Sequence, residues 1–500
     1  MWPRFTFEAM LQGGDPIGPW VYDGSISMSR DRIAWGGIGQ SSPFSGAVSL
    51  FARDPSTGVW ALEQSLVPDA AGEQFGISVA LSGDRLAVGA TNVGGAYMGG
   101  VYIFHAAGPA SLPWLKRELL SPPTTDANQV YGQSVALRGD TLAVGAWGAS
   151  GYAGAVHTYA LNDDGSVKPS SHQLLVPSDP IGSAAGAYFG WSVAISTSRQ
   201  RLLAGAVRAN DVRGAAYLFS RASADPSAPW SETAKLSDEP AGAGGGGAPG
   251  DRYATSIAMH EDATGGARFL IGSKHKSIGN ASHNGGAFLY SQASMCATVM
   301  EEALLVPPAG NTALNGGSLA FAGDVLLIGP YGAGCNPYPP GSSCLSPADT
   351  NKVYAYTGCG GGTPSHECNL TQILAPIDTD DASDRFGSAL SLDPDSGMLA
   401  ISSPLSGANG SLYLYRWTMG PPPPSRPPIA PSPRAPPPSG STDGTNTIMI
   451  ASASGIAGVI LCAIAACAIA AWLVLRRCRV IGVSAKDVRL DTTSRTAIRA

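Results

Sequence analysis

FGISVALSGDRLAVGA, residues 75–90, holds two short strands and the turn between them. The segment Ile77–Ser82 alternates in the period of two that a half-buried strand needs, Gly83-Asp84 makes a tight turn, and Leu86–Ala90 is an apolar run. The same pattern returns as YGQSVALRGDTLAVGA from Tyr131 and FGWSVAISTSRQRLLAGA from Phe189. Weaker copies are YATSIAMHEDATGGARFLIG from Tyr253, NGGSLAFAGDVLLIGP from Asn315 and FGSALSLDPDSGMLAISSP from Phe386, and the first copy is YDGSISMSRDRIAWGG from Tyr22. Successive copies start 53, 56, 58, 64, 62 and 71 residues apart, so the chain contains seven units at irregular spacing.

Each unit divides into four strand-like pieces. Strand A is the alternating run and strand B the LAVGA type. Strand C is read in GGVYIF, GAVHTY, GAAYLF, GAFLYS, KVYAYT and GSLYLY. Strand D is read in WALEQSLVP, WLKRELLSP, HQLLVP, WSETAKLSD, MEEALLVPP and CNLTQILAP. Seven four-stranded units predict an all-β fold, a seven-bladed β-propeller over residues 1–419. The seventh unit ends after strand C, whereas Trp2–Leu11 precedes the first unit and reads like a strand D. The N-terminal strand is therefore expected to complete the seventh blade and pair the edges that an open ring would expose.

The pattern aromatic-Gly-x-Ser-Val-Ala, turn, Leu-x-Val-Gly-Ala, then Gly-x-Val-Tyr-x-Phe resembles FG-GAP repeats, which build the propeller of integrin α subunits. That resemblance implies the fold and leaves function open. In integrin α propellers some A–B turns expand to a DxDxDG calcium loop. Here Asp84, Asp140 and Asp324 each sit alone in a tight turn, and only Asp393-Pro-Asp395-Ser-Gly397 approaches the loop, without its third Asp and distal carboxylate. Asp393 and Asp395 are thus a weak calcium candidate, and no other cofactor is expected. Asp378, Asp380, Asp381 and Asp384 read as a solvated acidic loop. Arg138-Gly139-Asp140 spells a tripeptide that many integrins bind, but it occupies the same turn as Ser82-Gly83-Asp84, and turn chemistry accounts for it.

Composition fits this organisation. The 500 residues include 64 Gly and 39 Pro, and only 14% are charged, against roughly 25% in an average soluble chain. Residues 420–447 are a Pro-rich segment, GPPPPSRPPIAPSPRAPPPSGSTDGTNT, expected to be a polyproline II stalk of up to about 80 Å. Its composition resembles that of plant and green-algal wall glycoproteins. Ile448–Leu475 are 28 uncharged residues, long enough for a single transmembrane helix. Arg476, Arg477 and Arg479 follow at once, which places residues 476–500 in the cytoplasm, beside anionic lipid, and the propeller outside. That basic tail carries +5, so the overall −6 leaves −11 for the rest, a poor surface for nucleic acid. MWPRFTFEAMLQGGD offers no apolar leader, so either the span serves as its own signal anchor or a leader precedes this sequence, the second being favoured.

An outside location makes the sequons at Asn280, Asn369 and Asn409 glycosylation candidates. It also makes Cys335–Cys344 and Cys359–Cys368, each with eight residues between, disulfide candidates. Cys296 is left over, other pairings stay open, and Cys478 beside the span is a lipidation candidate. No GxSxG, HExxH or zinc-type spacing occurs, and the expectation is a binding protein rather than an enzyme. The expected partner is an extracellular protein or glycan, held on the face formed by the B–C and D–A loops, where the longest connections lie (Pro330–Lys352, Ser273–Gly285, Glu239–Arg252). The rival expectations are a hydrolase or lyase on the same scaffold, including a phospholipase D-like enzyme, and a structural wall or coat protein.

Overall fold

The structure, a computed structural model, describes residues 2–13, 25–38, 44–106, 113–179, 186–237, 251–276, 285–306, 308, 315–330, 352–359, 368–377, 384–406 and 410–420. The Pro-rich segment, the apolar run 448–475, the basic tail and the long loops 239–250, 277–284 and 331–351 lie outside the described residues. Among the described residues no helix is long and apolar enough to cross a membrane.

Seven antiparallel sheets of four strands account for the described chain. Strand β1 (Trp2–Gln12) comes first, and blade 1 is β2 (Ser25–Ser29), β3 (Arg32–Gly37), β4 (Ala47–Arg53) and β5 (Trp60–Leu66). Blade 2 is β6 (Phe75–Ser82), β7 (Arg85–Ala90), β8 (Gly100–Ala106) and β9 (Trp114–Leu120). Blade 3 is β10 (Tyr131–Arg138), β11 (Thr141–Ala146), β12 (Ala155–Ala160) and β13 (Gln173–Leu175). Blade 4 is β14 (Phe189–Ile195), β15 (Arg201–Ala206), β16 (Ala215–Ser220) and β17 (Ser231–Leu236). Blade 5 is β18 (Tyr253–Glu261), β19 (Ala267–Ser273), β20 (Gly286–Gln292) and β21 (Met300–Leu305). Blade 6 is β22 (Asn315–Ala322), β23 (Val325–Pro330), β24 (Val353–Thr357) and β25 (Asn369–Leu374). Blade 7 is β26 (Leu390–Asp393), β27 (Met398–Ser403) and β28 (Ser411–Gly420), with β1 as its fourth strand.

The ring closes as the two chain ends predict. β1 pairs antiparallel with β28 from Trp2 opposite Gly420 to Gln12 opposite Ser411, with one bulge between Phe7 and Ala9. The first strands of the blades pack on one another in sequence, and β26 meets β2. They form the inner wall, and the D strands form the rim.

Each core cluster lies between blades. Val48 and Leu50 of blade 1 pack with Phe75, Val79, Leu86, Val88 and Tyr102 of blade 2. A blade is covered on both faces, so its middle strands are buried at successive residues, throughout β11 and β12 for example. That is why strands B and C read as apolar runs rather than alternating ones. The outer strand β9 instead exposes Leu115, Lys116 and Arg117, and such charge keeps an edge from pairing with another chain.

The recurring letters of the repeat all act at the seams between blades. The aromatic that opens strand A meets an aromatic ring of strand C edge-on: Phe75 on Tyr102 at 5.1 Å, Phe189 on Tyr217 at 5.7 Å, Tyr253 on Phe288 at 5.3 Å and Phe386 on Tyr413 at 5.2 Å. In blade 3 His157 takes that place beneath Tyr131, at 5.4 Å. Gly132 has φ +87°, and a Cβ on Gly89 would stand 1.9 Å from its carbonyl oxygen. Two backbones touch there, so both positions need glycine. Blade 7 differs: Ser402 stands where the other blades have this glycine, and its hydroxyl accepts from the Ala389 amide at 2.8 Å. The Ser402 backbone still bonds to Ala389 and Gly387, and β26 itself is four residues long.

Candidate functional site

The B–C loops of blades 1–4 all reach across to the next blade. Gly46, Gly99, Gly154 and Gly214 each form a parallel bridge to the aromatic that opens the following strand A: Phe75, Tyr131, Phe189 and Tyr253. Two residues before each glycine stands an apolar or aromatic residue with left-handed backbone, namely Phe44 (φ 61°), Tyr97 (φ 53°), Tyr152 (φ 72°) and Val212 (φ 70°). Side chains with a Cβ disfavour this region, and it persists only where the surroundings impose it. Here the surroundings are hydrogen bonds from the next blade: the amides of Gln74, Val130 and Tyr188 donate to the carbonyls of Phe44, Tyr97 and Tyr152. Phe44, Tyr97 and Tyr152 remain 39%, 47% and 39% exposed. The face of B–C and D–A loops thus carries a row of aromatic side chains on rigidly tied loops.

The row thickens between blades 3 and 4. Trp147 and Tyr152, both in the loop after β11, meet Tyr188, just before β14, and Trp191, inside it. Trp147 lies 4.6 Å from Tyr188, 5.6 Å from Trp191 and 5.9 Å from Tyr152, centroid to centroid. The register slips between Phe189 and Ser192, which leaves Trp191 out of the ladder at the top of the strand. Arg208 lies 4.9 Å over the Tyr188 ring and donates to its hydroxyl at 2.9 Å. Tyr152 also lines a cavity of about 250 Å³ with Asp126, Asn128, Gln129, Gly148, Ser150 and Gly151. The Gln129 side chain, itself buried, donates to the Thr124 carbonyl at 2.7 Å and the Asp126 carbonyl at 3.1 Å, and so fixes that wall.

The opposite face is built of short turns, some of whose carboxylates are held by arginines of neighbouring blades. Asp140 of the Arg-Gly-Asp tripeptide is ion-paired with Arg199, and the Gly139 amide donates to Ser82 Oγ at 2.9 Å. Asp324 accepts from Arg268 Nη1 at 3.2 Å. Arg138 is water-accessible yet hemmed in by protein, which lowers its pKa by desolvation, while Asp393 and Asp395 oppose that shift. None of the three tripeptide residues is presented as a protruding ligand would be.

At the calcium candidate, Asp393 is engaged in hydrogen bonds of its own. Asp393 Oδ2 accepts from the Ser396 amide at 3.0 Å, the Ser396 hydroxyl at 2.6 Å and the Arg30 amide at 3.2 Å. It caps its own turn and ties blade 7 to blade 1. Among the described residues no group of three or more His, Cys, Asp or Glu is placed to hold a metal, and two carboxylates, one already engaged, fall short of six or more oxygens. Cys359 and Cys368 form a disulfide, 2.05 Å between sulfurs, across the connection from β24 to β25. Cys296 is exposed in the β20–β21 connection. Asn369 is exposed at the start of β25, where its sequon is accessible. Asn280, Asn409, Cys335, Cys344, Cys478 and the acidic residues 378–381 lie outside the described residues.

One cluster escaped sequence reasoning. His157 Nδ1 and His172 Nε2 are 2.9 Å apart, their rings stack, and Tyr131 and Tyr159 join through their hydroxyls at 3.0 Å. Burial, then the neighbouring His172, lowers the His157 pKa to about 4. The histidines are 15 residues apart, His157 in β12 and His172 just before β13, and no spacing rule predicts that contact.

These features define the class: a seven-bladed propeller with one face of short turns and one of aromatic loops. The chain carries FG-GAP repeats, since the FG-GAP repeat model matches residues 60–104, 114–159 and 170–219. Each matched stretch runs from strand D of one blade to strand C of the next, and so spans a seam. With the seven blades this is consistent with an integrin α-like propeller. No curated protein matches the chain. Among solved structures, a Bacteroides fragilis protein provisionally assigned as a 6-phosphogluconolactonase is 10% identical, with a TM-score of 0.44, over 71% of this chain and 84% of that one. Sqt1 of Saccharomyces cerevisiae is 12% identical, with a TM-score of 0.39, over 78% of this chain and 84% of that one.

Proposed function

We propose that this chain is a single-pass cell-surface glycoprotein whose propeller recognises an extracellular protein or glycan through its B–C/D–A loop face. The observation that carries this reading is the row of Phe44, Tyr97 and Tyr152, exposed and held in left-handed conformation by bonds to the next blade. Exposed aromatic side chains on a rigid frame lose little entropy on binding and supply large contact area. The opposite face supports the same choice by contrast, because the carboxylates of Asp140 and Asp324 are already held by arginines. Attachment to a membrane rests on the 28 uncharged residues and the arginines that follow them.

Two measurements test the reading. Protease and antibody access to intact cells should show the propeller outside and the C-terminus inside, with Asn369→Gln removing one glycosidase-sensitive increment of mass. Replacing Phe44, Tyr97 and Tyr152 by Ala should abolish capture of a ligand identified with the full-length chain, while edits to the A–B turns leave capture intact. The converse result, or a catalytic turnover traced to the loop face, rejects binding as the function.

A further inference from the structure

We infer that the junction of blades 3 and 4 is a carbohydrate-binding site, in which the aromatic group Trp147, Tyr152, Tyr188 and Trp191 stacks on the C–H face of a neutral pyranose and the adjoining cavity takes its hydroxyls. This rests on the reading of the B–C/D–A face as the recognition face, and it names the ligand class.

The repeat sets these positions, and among the described residues this junction is the one that fills all four with aromatics. At the place of Trp191 the other units have Ile77, Gln133, Thr255, Gly317 and Ser388. At the place of Trp147, just after strand B, stand Thr91, Val207 and Lys274, with Tyr331 in the sixth unit, and at the place of Tyr188 stand Gln74, Val130, Arg252 and Arg385. The fold does not demand four rings there, since the other described seams form without the full set. The rings are also distinct from the core: Phe75, Tyr131, Phe189 and Tyr253 have no exposed surface, whereas Tyr152 is exposed and Trp147, Tyr188 and Trp191 are half-exposed.

The geometry suits a sugar better than an apolar ligand. A pyranose presents a flat C–H face edged by hydroxyls, and it needs a flat ring face beside planar groups that donate and accept in pairs. Asp126 and Asn128 line the cavity and carry a carboxylate and an amide of this kind. The Asn128 side chain makes no hydrogen bond among the described residues. Asp126 accepts from the Thr124 hydroxyl at 3.0 Å through Oδ2 only. A cavity of about 250 Å³ is small beside the roughly 300–1,000 Å³ of drug-sized pockets, which matches one terminal sugar ring. The site is preorganised as well. Asn128 (φ 62°), Ser150 (φ 52°), Tyr152 (φ 72°) and Tyr188 (φ 60°) are all held in the left-handed region, and Arg208 pins the Tyr188 ring. The Asp126 carboxylate and the prior engagement of Arg208 disfavour an acidic sugar.

The test uses the full-length chain, an array of defined neutral and uronic-acid oligosaccharides, and titration with methyl hexopyranosides followed by tryptophan fluorescence. At least one neutral sugar is expected to bind, with an affinity reduced roughly tenfold or more by Tyr152→Ala and by Asn128→Asp. Trp191→Phe, which keeps a ring, should retain most of it, and Met300→Ala on the outer strand of blade 5 should change nothing. Thermal melts confirm that each variant folds. Absence of any neutral-sugar binding, binding of uronic acids alone, or binding indifferent to Tyr152 and Asn128 overturns the site. If that happens while loop-face variants still abolish capture of a protein, the recognition face stands and only the sugar falls. If edits to the A–B turns abolish all binding, both fall.

Discussion

Ser78 Oγ donates to the carbonyl of Gly132, 2.8 Å away, and so joins the inner strand of blade 2 to that of blade 3. The bond is repeated around the ring. Ser25 donates to the Gly76 carbonyl at 3.0 Å, Ser134 to Gly190 at 2.9 Å, Ser192 to Ala254 at 2.9 Å, Ser256 to Gly316 at 2.7 Å and Ser318 to Gly387 at 2.5 Å. The seventh unit has Ala389 in this place, and its inner strand meets blade 1 through Ser391 Oγ and Asp393 Oδ2, which accept from the Met28 and Arg30 amides at 3.0 Å and 3.2 Å. Ser78→Ala leaves the Gly132 carbonyl without this donor in a buried seam. It should cost about 1–2 kcal/mol, read as a lower midpoint in urea with an unchanged slope.

Gly89→Ala tests the contact beside that bond. Its Cβ would lie 1.9 Å from the Gly132 oxygen, a backbone atom that cannot swing away. The expected loss is about 3 kcal/mol, the upper range for overpacking. Gly83→Ala is the comparison, since Gly83 has φ +62° and no atom lies within 4 Å of where its Cβ would stand; it should lose only about 1 kcal/mol of backbone strain. Equal losses in the two variants would show that backbone conformation, not seam contact, dictates these glycines.

Arg201 and Glu261 form a buried ion pair between blades 4 and 5. Arg201 is 1% exposed and also donates to Gln292 Oε1 at 3.0 Å and the Gly265 carbonyl at 2.8 Å. Burial alone would raise the Glu261 pKa, but the Ser198 amide and hydroxyl and Arg201 outweigh it and lower it. Glu261→Gln strands a buried cation and should cost about 3–5 kcal/mol, whereas the double change Arg201→Met, Glu261→Leu should cost less than either single change. A double-mutant cycle in chemical denaturation measures this coupling.

His157 gives the pH dependence a defined window. Its pKa falls to about 4 in the fold, against about 6.5 in an unfolded chain, so between those values the unfolded state binds the extra proton. Stability should be full above about pH 6.5 and decline by up to about 3 kcal/mol as pH drops to about 4. His172, Tyr131 and Tyr159 surround the imidazole, and none of them supplies a negative charge in that range. His157→Phe, which restores the ring used by other blades, should flatten that part of the profile in thermal melts across pH.

The Cys359–Cys368 bridge closes a loop of eight intervening residues. Reduction, or Cys359→Ser, should lower stability by about 2–3 kcal/mol through the entropy returned to the unfolded chain. The shift in melting temperature with and without reductant measures it, and Cys359→Ser should remove that shift.

The number of blades, the strand order and the closure by Trp2–Gln12 were legible in the amino-acid order, because strand period, turn chemistry and repeat spacing are local properties of the chain. The turn role of Asp84, Asp140 and Asp324 and the pairing of Cys359 with Cys368 belong to the same local level. The two cysteines are nine positions apart and the turns are closed by their own hairpins, although the arginines that meet Asp140 and Asp324 come from neighbouring blades. What the repeat letters were for could not be read there. The serine and the two glycines act across seams, between residues more than 40 positions apart, and nothing in one unit names its partner in the next. The same reason hid the meeting of Trp147 with Tyr188 and Trp191, and the His157–His172 contact within blade 3 follows no sequence spacing either. Sequence by itself determined a ring of seven blades and which loops share a face. Only the tertiary structure decided that the rings gather at the blade 3–4 junction and that Asp393 caps its turn and ties blade 7 to blade 1. Both depend on which side chains the closed ring brings within 3–6 Å of each other, a distance that packing between blades sets.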